Sequence, residues 1–131
     1  MKGGIIMTQY SISESEWQVL ACLWKQSPLE IKDILAMLQE KTGWNANMVR
    51  TLIVRLQEKG AVGAEKGGRC YRYYPIADEK SCTLAETQSF LNRVFDGSPA
   101  KMIAALTGGG KLTKQDCEEI EEMLSKMKGA D

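Results

Sequence analysis

Between residues 45 and 60, in "NANMVRTLIVRLQEKG", Val49, Leu52, Ile53 and Leu56 recur at i, i+3, i+4 and i+7, the spacing of a stripe that a helix buries. Two similar stripes precede it: Trp17, Leu20, Ala21 and Trp24, then Ile31, Ile34, Leu35 and Leu38. The polar residues at their ends agree with three helices. Ser13 and Glu16 form a capping box. Ser27, Pro28 and Glu30 predict a second start with Ser27 as the N-cap, and Gly43 a stop. Asn45 caps the third helix, and Gly60 stands where a left-handed residue ends it. Two short extended runs then flank Gly67-Gly68, a hairpin signal, with Pro75 closing the second.

Helical spacing returns after Asp78. Leu84, Thr87, Phe90, Leu91, Val94 and Phe95 share one side of a helix. Ser98 and Pro99 open a short helix holding Met102, Ile103 and Leu106. After "TGGGK", Thr113 and Asp116 cap a last helix striped by Ile120, Met123, Leu124 and Met127, with Leu112 placed to staple onto Cys117. This order predicts a mainly α chain with a small β-hairpin wing: a winged helix-turn-helix over 1–77 and a helical dimerisation segment over 78–131. Three short helices of about fifty residues cannot bury a sufficient core alone. Phe90, Leu91, Val94, Phe95, Ile120, Met123, Leu124 and Met127 are the expected contacts of a homodimer, the rival reading being that the tail folds onto the winged helix.

The third helix has an unusual outer face. In place of long solvated charges it carries Asn47, Arg50, Thr51 and Val54, with Arg55 farther round. The DNA major groove admits one helix and shows it amides, carbonyls and thymine methyls. Short side chains let the backbone approach, Asn47 and Thr51 can pair with base edges, and Val54 can meet a methyl. Arg50 can fork onto guanine or a phosphate, and Arg55 can meet a phosphate. Lys66 and Arg69 bracket the hairpin turn and give it a basic tip. The competing expectation is that Val54 packs under the hairpin and Thr51 is neutral surface. Net charge is zero, with 17 basic and 17 acidic residues, but 44–75 holds six basic against two acidic.

Other chemistry is poorly supplied. There is no histidine, so the usual general base is missing. Cys22, Cys70, Cys82 and Cys117 form no Cys-x-x-Cys pair, which argues against zinc, and Cys22 and Cys117 are expected as small buried hydrophobes. "TGGGKLT" lacks phosphate-loop spacing and follows no strand. No catalytic residue, metal or cofactor is implied. No run of 18 apolar residues exists, and "MKGGIIMTQY" is too weak for a signal peptide, so a cytoplasmic chain with a frayed Met1–Gly4 start is expected.

"ISESEWQVLACLW", "VRTLIVRLQEKG" and "YRYYPI" resemble the BlaI/MecI family of penicillinase and methicillin-resistance repressors, over about Ile12 to Lys128. Asn45 stands where that family usually has Ser, and Met48 where Thr is usual, so one hydroxyl is lost. The resemblance implies a homodimeric transcriptional repressor in which each winged helix reads half of a palindromic DNA operator. Arg50, Thr51 and Arg55 then belong to the recognition helix and Lys66 and Arg69 to the wing. It also implies release by a sensor-linked protease cutting between the last two helices. The matching position is Ala105-Leu106, although Leu106 is not the Phe common there, and a plain linker is the rival reading. The chain ends without the paired Cys-x-Cys of the family's copper-responsive branch. A winged helix used only to bind protein is the alternative of another class.

Overall fold

The computed structural model describes residues 10–129; the expected frayed start at Met1–Gly4 lies outside them. The order is α1 (Glu14–Lys25), α2 (Ile31–Thr42), α3 (Ala46–Glu58), β1 (Val62–Gly67), β2 (Cys70–Pro75), α4 (Glu79–Phe95), α5 (Pro99–Gly108) and α6 (Lys114–Gly129). The chain divides into two compact units, 1–85 and 86–131, the division falling inside α4. The boundary expected after residue 77 lies short of it and leaves out Cys82, whose side chain belongs to the first unit's core.

The first unit is a three-helix cluster with a hairpin. Val49, Leu52, Ile53 and Leu56 of α3 are all at most 1 % exposed and pack with Val19, Leu20 and Leu23 of α1 and Ile34 and Leu38 of α2. Burying one such side chain contributes about 1.5–3 kcal/mol, so α3 is firmly anchored in the unit. The stripe of α1 is rotated from the expected one. Val19, Cys22 and Leu23 enter the core, Ala21 is exposed, and Trp17 and Trp24 lie half-buried at its edge, edge-to-face at 5.3 Å. The indole N–H of Trp24 donates to the Ala77 carbonyl (2.9 Å), so both rings find partners without full burial.

Ser13 and Asn45 cap α1 and α3 as expected, accepting from the Glu16 and Met48 amides. The start of α2 differs. Its N-cap is Glu30, not Ser27, and Asp33 accepts from the Glu30 amide at 3.0 Å. The physical reason is Leu29. Its N–H donates to the Tyr73 carbonyl and its carbonyl accepts from the Tyr73 N–H, at 3.0 and 2.7 Å. Residue 29 is thus extended and bridged to β2, which postpones the helix. Gly43 and Gly60, with φ of 74° and 79°, end α2 and α3 in the left-handed region.

β1 and β2 pair antiparallel, with Gly67 opposite Cys70. The turn is therefore Gly68-Arg69, one residue later than Gly67-Gly68, and the positive φ of 82° falls on Gly68. Alternation places Tyr71 and Tyr73 on one face of β2 and Arg72 and Tyr74 on the other. Tyr73 packs on the core, while the Tyr74 ring lies across Gly63, where a Cβ would come within 2.5 Å of it.

In the second unit the expected caps form: Ser98 accepts from the Lys101 amide, and Thr113 and Asp116 bond reciprocally. Neither α5 nor α6 buries a residue. Cys117 is accordingly exposed, against the expectation of a buried thiol, because α6 has no core of its own to enter.

Candidate nucleic-acid interface

The core contacts of α3 dictate which of its side chains remain outside. With Val49, Leu52, Ile53 and Leu56 turned inward, Asn47, Arg50, Thr51, Val54 and Arg55 are all exposed and line one shallow, open depression. Val54 is 44 % exposed, so it does not pack under the hairpin. Two hydrogen bonds order this face. An Arg50 guanidinium N–H donates to Asn47 Oδ1 at 2.9 Å, and the Thr51 hydroxyl donates to the Asn47 carbonyl at 2.9 Å. Asn47 thereby holds Arg50 along the helix and keeps its own amide N–H groups outward. The Thr51 methyl and the Val54 side chain complete a surface with two small apolar patches between polar groups.

At the other end of α3, Lys59 fixes the helix to α1. Its ammonium donates to Glu16 Oε1 at 2.5 Å and to the Ser11 carbonyl. Glu16 is only 2 % exposed and also accepts from the Ser13 amide at 2.9 Å. Burial pushes the Glu16 carboxyl up, but the Lys59 ammonium and the Ser13 bond outweigh it and hold it below the ordinary glutamate range.

Lys66 and Arg69 are exposed at the hairpin tip, as expected. Lys66 stands opposite Tyr71 in the register and shares its face. Arg72 was not among the expected site residues. It lies over Gly67, pairs with Glu65 at 3.4 Å and so is committed to the hairpin's other face. Between the hairpin and α3 is an open cleft of about 360 Å³, lined among others by Lys32, Arg50, Cys70 and Tyr71. Lys32, Cys70 and Tyr71 escaped the sequence reading because nothing in their spacing reveals that α2, α3 and β2 converge there.

The expected dimer residues sit in the second unit. Phe90, Val94, Met123, Leu124 and Met127 are 38–73 % exposed, Phe95 and Ile120 are half-buried, and Leu91 is 7 % exposed, already covered within the single chain. The Ala105-Leu106 bond lies in the last turns of α5 and not in the connection after it. The Ala105 and Leu106 carbonyls accept from Gly109 and Lys111, both at 3.0 Å. Among the described residues no group of three or more His, Cys, Asp or Glu side chains could hold a metal ion, and no helix is long and apolar enough to cross a membrane.

Three helices closed by a two-stranded hairpin, with an exposed short-chained face on the third helix, define a winged helix-turn-helix protein. The penicillinase repressor family model matches residues 12–126, and the chain belongs to that family. It is 26 % identical over 117 residues to the methicillin resistance regulatory protein MecI of Staphylococcus aureus, covering 89 % of this chain and 95 % of MecI. It is 28 % identical over 117 residues to the penicillinase repressor of Bacillus licheniformis, covering 89 % and 91 %. The solved DNA-binding domain of the repressor BlaI matches at a TM-score of 0.50 and 31 % identity, over 54 % of this chain and 87 % of that one. Monomeric Bacillus licheniformis BlaI in complex with the blaP half-operator matches at a TM-score of 0.50 and 30 % identity, over 56 % and 90 %.

Proposed function

We propose that this protein is a homodimeric transcriptional repressor of the cytoplasm whose two winged helices read the halves of a palindromic operator. The observation that carries the reading is the exposed face of α3, where an amide, a hydroxyl, a valine and two arginines stand together over a buried apolar stripe. That face supplies donors, an acceptor and methyl surface, the groups that pair with base edges in a major groove. Asn47, Thr51 and Val54 read bases, Arg50 reads a base or a phosphate beside them, and Arg55 takes a phosphate. Lys66 and Arg69 bring the wing to the flanking backbone.

Residues 1–85 hold DNA and 86–131 hold the partner subunit. Phe90, Phe95, Val94, Ile120, Met123, Leu124 and Met127 form the dimer contact, because an apolar surface this open is stable only when covered. Leu91 supports it from beneath. Release follows a cut at Ala105-Leu106 by a protease coupled to a sensor, which strips α6 from the dimer. The repressor acts through binding alone, without a catalytic group or cofactor.

The test is binding to duplex DNA under a salt titration. The logarithm of affinity should fall with that of salt at a slope of about −0.9 per neutralised phosphate. A flat response, or no binding at low salt, refutes the DNA reading and leaves the winged helix as a protein-binding module.

A further inference from the structure

We propose that Asn47 is a positioning residue for Arg50, and that the bonds among Asn47, Arg50 and Thr51 set α3 to read a guanine beside an A·T pair. The inference rests on the DNA reading above and names the sequence class that the reading leaves open.

Its basis is the hydrogen-bonding capacity that remains on the exposed face once its internal bonds are made. Arg50 Nη1 donates to Asn47 Oδ1 at 2.9 Å, a pairing of neighbours three apart on the helix. A guanidinium only donates, so the amide turns its oxygen to Arg50 and its NH2 group outward. An asparagine reads adenine by accepting from N6 with that same oxygen while its NH2 donates to N7. With a cation already against the oxygen, a second donor is repelled there, and Asn47 is left as a donor. Arg50 in turn gives up one Nη1 proton and keeps the fork of Nε and Nη2 for a base edge. Guanine shows two acceptors side by side in the major groove, N7 and O6, where thymine shows only O4. A tethered guanidinium has the fixed direction that a two-point contact needs.

Thr51 carries the opposite polarity. Its hydroxyl donates its one proton to the Asn47 carbonyl at 2.9 Å, so the oxygen can only accept from a base. The donors on the major-groove floor are adenine N6 and cytosine N4. Methyl surface decides between them. Thr51 and the exposed Val54 line the same depression. An A·T pair shows an amine and the thymine methyl together, whereas a C·G pair shows an amine and no methyl. The face of α3 therefore presents donors at Asn47 and Arg50, and an acceptor with methyls at Thr51 and Val54.

The full chain can be tested by selection from a pool of randomised duplexes, followed by titration of the selected duplex and its base-substituted forms. The parent protein should enrich a guanine next to an A·T pair. Exchanging that guanine for adenine should weaken binding by about five- to hundredfold. Uracil in place of the adjoining thymine should weaken it about fourfold, one methyl group. Asn47→Ala should largely abolish the guanine preference and leave affinity for unselected duplex unchanged. Asn47→Asp keeps the oxygen that holds Arg50 and removes the amide donor; its added charge should weaken binding to every duplex, yet the guanine preference should return. A residue that reads a base through its own NH2 group would not be rescued in this way. Circular dichroism should show both variants folded. If the parent binds the pool but selects no guanine beside an A·T pair, if Asn47→Ala keeps the preference, or if Asn47→Asp loses it, this inference alone is overturned. If the parent binds no duplex even at low salt, the DNA reading fails and the inference falls with it.

Discussion

The two units of this chain use the same helical stripes to opposite ends. In residues 1–85 every stripe finds another: the four apolar residues of α3 are at most 1 % exposed. In 86–131 apolar stripes recur, yet α5 and α6 bury nothing, and Leu124 and Met127 are 51 % and 73 % exposed. The difference teaches that periodicity reports a face to be covered but does not say by what. A three-helix cluster closes on itself, whereas the helices of the tail leave their stripes open, which is what the proposed dimer contact would cover.

The largest effect should come from breaking the tail. Phe90→Asp with Leu124→Asp should convert a dimer to a monomer by light scattering and weaken operator binding by about 10²–10⁴-fold, the gain that linkage gives. A variant that stays dimeric would place the contact elsewhere. The comparison is sharpened by one truncation on each side. Leu52→Ala should cost the 1–85 unit about 2–5 kcal/mol in urea unfolding, because it empties a closed core. Leu124→Ala should shift the monomer–dimer equilibrium with protein concentration and leave 1–85 unchanged.

Next in size is Arg50→Ala, expected to weaken specific DNA by about 1–3 kcal/mol if the guanidinium meets a base edge. Competition with base-substituted duplexes checks it: equal loss on all sequences would make Arg50 a phosphate contact. The smallest effect concerns acid. Because the Glu16 carboxyl is held below its ordinary range in the folded chain, its stabilisation is complete above the unfolded-state value, about pH 4.5. It is lost as pH falls through the lower folded value. Glu16→Gln should therefore lower stability by about 1–2 kcal/mol near neutrality and flatten the acid limb of stability against pH. An unchanged acid limb would show that the Lys59 pair contributes nothing.

Much of this was legible beforehand where local chemistry decides. The α3 stripe, the Asn45 and Ser13 caps and Gly60 are each fixed by neighbours in sequence, and so is the polar face that the stripe leaves outside. The misreadings share a cause. Ser27 lost the cap of α2 to Glu30 because Leu29 bonds to Tyr73, forty-four residues away in the chain. The stripe of α1 turned because Cys22 and Val19 meet α2 and α3, and Cys117 stayed outside because α6 buries none of its residues. The cleft that Tyr71 and Lys32 line is likewise made by three elements meeting, which no local pattern records.

One consequence follows from the position of the Ala105-Leu106 bond. Proteases take their substrates as extended strands, and this bond sits within helical turns closed by the Gly109 and Lys111 amides. The proposed scission there would first require the end of α5 to unwind, which would tie its rate to a local opening equilibrium. Deuterium uptake at those two amides would time that opening directly. Under the proposed release, any ligand or partner that clamps the helix end would slow the cut without touching the DNA.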